Sequence, residues 1–94
     1  MSDEIRKYHR NEVKGHVRSY VEGKSQSLDK TVKMIRTKCK NYNISEQELR
    51  SILIQVEREA VEPYLKQPKH SKLYQPERLV RFKEVCRRLG IDID

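Results

Sequence analysis

One segment commits the chain to a helix before anything else is weighed. In Ile44-Ser45-Glu46-Gln47-Glu48-Leu49, a serine stands three residues ahead of a glutamate, and apolar residues bracket the pair. Ser45 as N-cap accepts a hydrogen bond from the Glu48 N–H, and the Glu48 carboxylate returns one to the Ser45 N–H. Ile44 and Leu49 then meet as a hydrophobic staple. Glu46 and Glu48 in the first turn suit the positive end of the helix dipole. The pattern predicts a helix over residues 46–62, with Pro63 kinking it or opening a further short turn. Two apolar stripes run along it. Leu49, Ile52, Leu53, Val56 and Ala60 make one, and Ile54, Val61 and Leu65 make the other. A helix apolar on two sides is held between neighbours. This third helix is therefore expected at the centre of the fold or at a dimer interface, with Ile54, Val61 and Leu65 toward the partner.

Three further helices are predicted around it. Ser27 caps a helix over 28–41, whose Leu28, Val32, Ile35, Cys39 and Tyr42 share one face while Lys30, Lys33, Arg36 and Lys40 share the other. The short connection to the next helix favours an antiparallel neighbour. Pro76 fits the first position of a helix over 76–89, and Gly90 fits its C′ position, with Ile91 packing back. Leu79, Phe82, Val85, Cys86 and Leu89 form its apolar face, with Arg78, Arg81, Arg87 and Arg88 at the margins or outside. A first helix over 4–22 rests on Val13, Val17, Tyr20 and Val21 and ends at Gly23. Residues 1–10 read either as its looser start or as a flexible basic arm. Residues 66–75 read as an exposed basic loop. The expected fold is one all-α domain, a compact bundle of about four helices, and nothing shows β alternation.

Charge is segregated along this framework. Residues 1–43 carry eleven Lys/Arg against five Asp/Glu, residues 44–65 two against five, and residues 66–94 eight against four. The formal net charge is +7. The acidic segment is the doubly apolar helix, so the positive charge is left to the elements around it, where it forms surfaces that attract polyanions. Two candidate surfaces result: Lys30, Lys33, Arg36 and Lys40 on the second helix, and Arg78, Arg81, Arg87 and Arg88 on the last, with Lys69 and Lys72 in the loop. Arginine forks suit phosphates and guanine edges. The same arginines could instead pair with Glu57, Glu59 and Glu62, and lysines on helices usually meet only solvent.

Other chemistry finds no support. A helix-turn-helix across 41–44 would send Glu46 and Glu48 toward phosphates, which repel them. His9 and His16 share a face but lack the close ligand pairs of a metal site. Gly23-Lys24-Ser25 has Arg18 where a phosphate-binding loop needs glycine. No nucleophile and base can be placed together, so neither an enzyme nor a cofactor is expected. The tyrosines read mainly as edges of a small core, although Tyr8, Tyr64 and Tyr74 lie near cations that could accompany stacking on unpaired bases. No stretch of about 18 apolar residues is present to span a membrane. Cys39 and Cys86 read as reduced core thiols of a cytoplasmic protein without an apolar leader. The reading that follows is a small nucleic-acid-binding protein, DNA or RNA, working through its basic helix faces. The alternative is a non-enzymatic adaptor or inhibitor that holds a protein partner, or a second copy of itself, on the Ile54 stripe. Charge reversal at Lys33 and Lys40 would weaken the first, and Ile54→Asp the second.

Overall fold

The structure is a computed structural model that describes residues 3–24 and 27–93. It is an all-α bundle of four helical rods, with no strand among the described residues. Helix α1 spans Asp3–Val21, α2 Leu28–Asn41 and α3 Glu46–Val56. A π-helical turn, Glu57–Val61, continues α3 into the short α4, Glu62–Leu65, and α5 spans Glu77–Leu89. Residues 3–10 are helical, the first turns of α1.

Local chemistry sets the ends of these rods. The capping box at Ser45 and Glu48 is complete, and Ser27 accepts from the Lys30 N–H at 3.2 Å. Three helices stop in the same way, with a left-handed residue whose following N–H turns back to a carbonyl of the last turn. Gly23 (φ 79°) precedes Lys24, whose N–H reaches the Ser19 carbonyl at 2.8 Å. Asn43 (φ 56°) precedes Ile44, bonded to Cys39 at 2.8 Å. Gly90 (φ 72°) precedes Ile91, bonded to Cys86 at 3.0 Å, and Ile91 is buried.

Helix α1 packs against α2, α3, α5 and the π turn. Its Val13, Val17 and Val21, four residues apart, are fully buried. They meet Ile35 of α2, Leu53 and Val56 of α3, Ala60 and Val61 of the π turn, and Phe82 and Val85 of α5 in one core. The short connection after α2 does not make α3 its main neighbour. α2 packs on α1 and α5 while α3 packs on α1, because the left-handed Asn43 and the extended Ser45 redirect the chain.

The π turn corrects the expected second stripe. Pro63 has no N–H, and its ring crowds the carbonyl four residues earlier, so the helix cannot run through it unchanged. The backbone widens just before it, and the Glu62 N–H bonds to the Glu57 carbonyl five residues back. The extra residue shifts the phase of everything downstream. Ala60 and Val61 both reach the core with no exposed surface. Val61 is therefore not available to a partner, and Leu65 is half-buried against the same core. Of the three, Ile54 alone stays off the core, half-exposed on the outer side of α3.

Candidate nucleic-acid interface

The outer side of α2 carries Lys30, Lys33, Arg36 and Lys40, all exposed. Lys30, Lys33 and Lys40 have no ion-pair partner among the described residues. Arg36 gives one guanidinium N–H to the carbonyl of Arg88 at 2.6 Å, which joins α2 to the end of α5 and leaves its charge uncancelled. Arg88 in turn meets Asp29, the one carboxylate of α2, at 2.5 Å. The structure thus brings Arg88 to the same side as the α2 cations. The helical rise spreads Lys30 to Lys40 over about 15 Å.

The remaining predicted cations go elsewhere. Arg78 is buried, at 8% exposure. Its Nη1 donates to the Ala60 carbonyl at 3.1 Å and its Nε to Gln75 at 2.7 Å, with the guanidinium 3.6 Å from the centre of the Tyr64 ring. Arg78 is a brace between the π turn and α5, not a phosphate contact. Arg81 is half-buried and gives its Nε–H to the carbonyl of Val21 at 2.8 Å, holding the last turn of α1. The physical reason is common to both. Helix ends and distorted turns leave carbonyls without full intrahelical partners, and a guanidinium reaches them with several donors at once. The signal was present in the heptad: Arg78 stands four residues before Phe82 and seven before Val85, and Arg81 four before Val85, on the buried side of α5. Arg87 is exposed, but it lines a cleft of about 410 Å³ over Cys86 together with Glu57 and Lys83, away from Arg88. Lys69 and Lys72 are exposed in a loop closed by the Gln75 N–H on the Tyr64 carbonyl at 3.0 Å. That loop lies at the opposite end of α5 from Arg88, roughly 20 Å along the helix.

Glu12, Glu22, Glu48 and Glu59 pair with cations of α1 and α2 rather than with the arginines of α5. Glu59 takes Lys14 at 2.8 Å and Arg18 at 3.2 Å, and Glu48 takes Arg6 at 2.6 Å. Glu12 takes Lys38 at 2.6 Å and accepts from the Tyr42 hydroxyl at 2.9 Å. Glu22 takes Arg18 at 3.2 Å. Each carboxyl is held below the usual carboxylate range. Lys38 and then Tyr42 do this for Glu12, the Ser45 N–H followed by Arg6 for Glu48, and Lys14 for Glu59. For Glu22, burial pushes up, and Arg18 with Lys24 more than offsets it.

Two arrangements were not foreseen. His9 stacks flat on Tyr42, with ring centres 3.7 Å apart, and pins the start of α1 to the end of α2. Between α1 and α3 runs a cleft of about 420 Å³ with Lys7, Arg10 and Arg58 around it and Ile54 among its walls. The i, i+3 spacing of Lys7 and Arg10 is legible in the chain, but their meeting with Arg58 depends on how α3 crosses α1. Among the described residues no three His, Cys, Asp or Glu side chains group as metal ligands, and no helix is long and apolar enough to cross a membrane. Cys39 and Cys86 are free thiols, half-buried and buried; burial pushes the Cys39 thiol up. Comparison with protein families, with curated proteins and with solved structures gives no match to this chain.

Proposed function

We propose that this protein binds nucleic acid through phosphate contacts made by Lys30, Lys33, Arg36 and Lys40 of α2, extended by Arg88 of α5. The observation that supports this most is how charge is disposed. The carboxylates Glu12, Glu22, Glu48 and Glu59 are matched by Arg6, Lys14, Arg18 and Lys38, while three lysines on one outward face are left without acidic partners among the described residues. Their span of about 15 Å corresponds to about four phosphate steps along a duplex strand. Among the described residues Asp29 is the one carboxylate of α2, and Arg88 holds it.

A face of this kind reads charge rather than base edges, so binding is dominated by counterion release. With about four phosphates engaged, affinity for a labelled duplex falls about 100-fold between 50 and 200 mM salt. Lys33→Glu with Lys40→Glu lowers affinity at least tenfold and flattens the salt dependence, as read by fluorescence anisotropy on single- and double-stranded DNA and RNA. Absence of binding to any of these at 50 mM salt, or an unchanged affinity in the double variant, overturns the reading.

A further inference from the structure

The cleft between α1 and α3 differs in kind from the α2 face. Lys7, Arg10 and Asn11 come from α1, Ser51, Ile54 and Gln55 from α3, and Arg58 from the π turn that continues it. Lys7, Arg10 and Arg58 are exposed and have no ion-pair partner among the described residues. Among the described residues the one carboxylate on the wall is Glu48, whose two oxygens accept from Arg6 at 2.7 and 2.6 Å. The cleft therefore presents an excess of positive charge around Ile54, which is half-exposed and off the core.

We propose that this cleft is a docking site for an acidic peptide segment carrying an aliphatic side chain. The charge excess calls for an anion, and two of the three cations are arginines, whose forks match carboxylates two bonds at a time. Asn11 and Gln55 each offer both an amide donor and an amide acceptor, the pairing that a peptide group requires. Ile54 supplies an aliphatic contact for one side chain. Nucleic acid fits less well, since no wall residue is aromatic and unpaired bases seek stacking partners. The cleft uses none of the α2 residues proposed to hold phosphates, so the two surfaces are free to act separately.

The probe is a panel of fluorescein-labelled decapeptides in which Leu or Ile is flanked by Asp and Glu, matched with a panel in which Gln and Asn replace the acids. The acidic panel binds the full chain at low salt and the amide panel at least tenfold more weakly. Backbone amide shifts in NMR map to Asn11, Ser51, Ile54 and Gln55. Arg10→Glu with Arg58→Glu abolishes peptide binding while circular dichroism stays unchanged, since both side chains are exposed, and DNA affinity falls far less than in Lys33→Glu with Lys40→Glu. Ile54→Ser, a milder change that spares the charges, weakens binding about fivefold or more. Failure of every acidic peptide to bind at 1 mM, shifts that map instead to α2, or indifference to the Arg10 and Arg58 reversal overturns the proposal. Loss of binding in Lys33→Glu with Lys40→Glu overturns it too, by showing that the peptides are held as generic polyanions.

Discussion

The inner side of α5 and the outer side of α2 are both cationic, and they use their charge in opposite ways. On α5, Arg78 and Arg81 turn inward and give their N–H groups to the carbonyls of Ala60 and Val21. On α2, Lys30, Lys33 and Lys40 point to solvent without acidic partners among the described residues. The difference follows the chemistry of the two side chains. A guanidinium is weakly hydrated, planar and rich in donors, so it can be desolvated onto a carbonyl while an aromatic ring covers its face, as Tyr64 does for Arg78. An ammonium is tightly hydrated and stays in water on a flexible stem. A positive residue on a helix is therefore not one kind of evidence. Arginine on the buried side braces the fold, and lysine on the far side stays hydrated at the surface.

The largest effect that separates the two sides is on stability. Arg78→Ala removes a charged donor and leaves the Ala60 carbonyl buried without that partner, at a cost of about 2–3 kcal/mol. In a domain of this size that lowers Tm by about 10–15 °C. Lys33→Ala changes stability by no more than about 0.5 kcal/mol, because its side chain is exposed and has no ion-pair partner among the described residues. Guanidinium titrations of both variants decide the matter. Similar costs for the two would break the distinction.

A smaller effect tests how Arg81 is seated. Gly23 sits at φ 79°, and a methyl group added there would lie 3.3 Å from Arg81 Nη2. Gly23→Ala therefore carries both left-handed strain and a push on the arginine that holds Val21, about 1–2 kcal/mol in all. Gly15→Ala is the control. It lies inside α1 with no atom within 4 Å of the new carbon, so it gains up to about 1 kcal/mol of helix propensity. An equal cost of Gly23→Ala in the parent chain and in Arg81→Ala would show that the strain alone acts and that the Arg81 contact does not matter.

These contrasts mark what was legible in the chain. The helix ends were: Ser27, the Ser45–Glu48 box, Gly23 and Gly90 act through local backbone chemistry, and four rods follow from them. The apolar face of each rod was also readable, because a regular period of 3.6 residues suffices. The phase slip at the π turn was not. It arises from one proline acting on a carbonyl four residues earlier, and it carries Val61 from an expected interface into the core. The pairing of Glu59 with Lys14 and Arg18 was also beyond reach, because it depends on where α1 crosses rather than on any sequence neighbour. For the same reason the positive surface was legible as lysines on the outer side of α2, while the arginines of α5 looked equivalent to them.

Acid sharpens the distinction from a third direction, with the smallest effect. An arginine bonded to a carbonyl has no group that titrates in the acid range, whereas the clamps around α1 rest on Glu12, Glu22, Glu48 and Glu59. All four are held below their ordinary value of 4.5. A carboxylate with a lowered folded-state pKa binds its proton more readily when unfolded. Its contribution is therefore complete above the unfolded value, and it is lost as pH falls through the folded one. Stability is flat from neutrality down to about pH 5 and declines below about 4.5, where the chain also gains positive charge. Glu59→Gln removes one of these pairs in advance, so its urea midpoint is slightly lower at neutral pH and falls less on acidification than that of the parent chain. Arg78→Ala shifts the midpoint by the same amount at both ends of the range. A pH-dependent Arg78 effect would mean that this side chain is coupled to a carboxylate after all, and that α5, like α1, is held by ion pairs rather than by carbonyls.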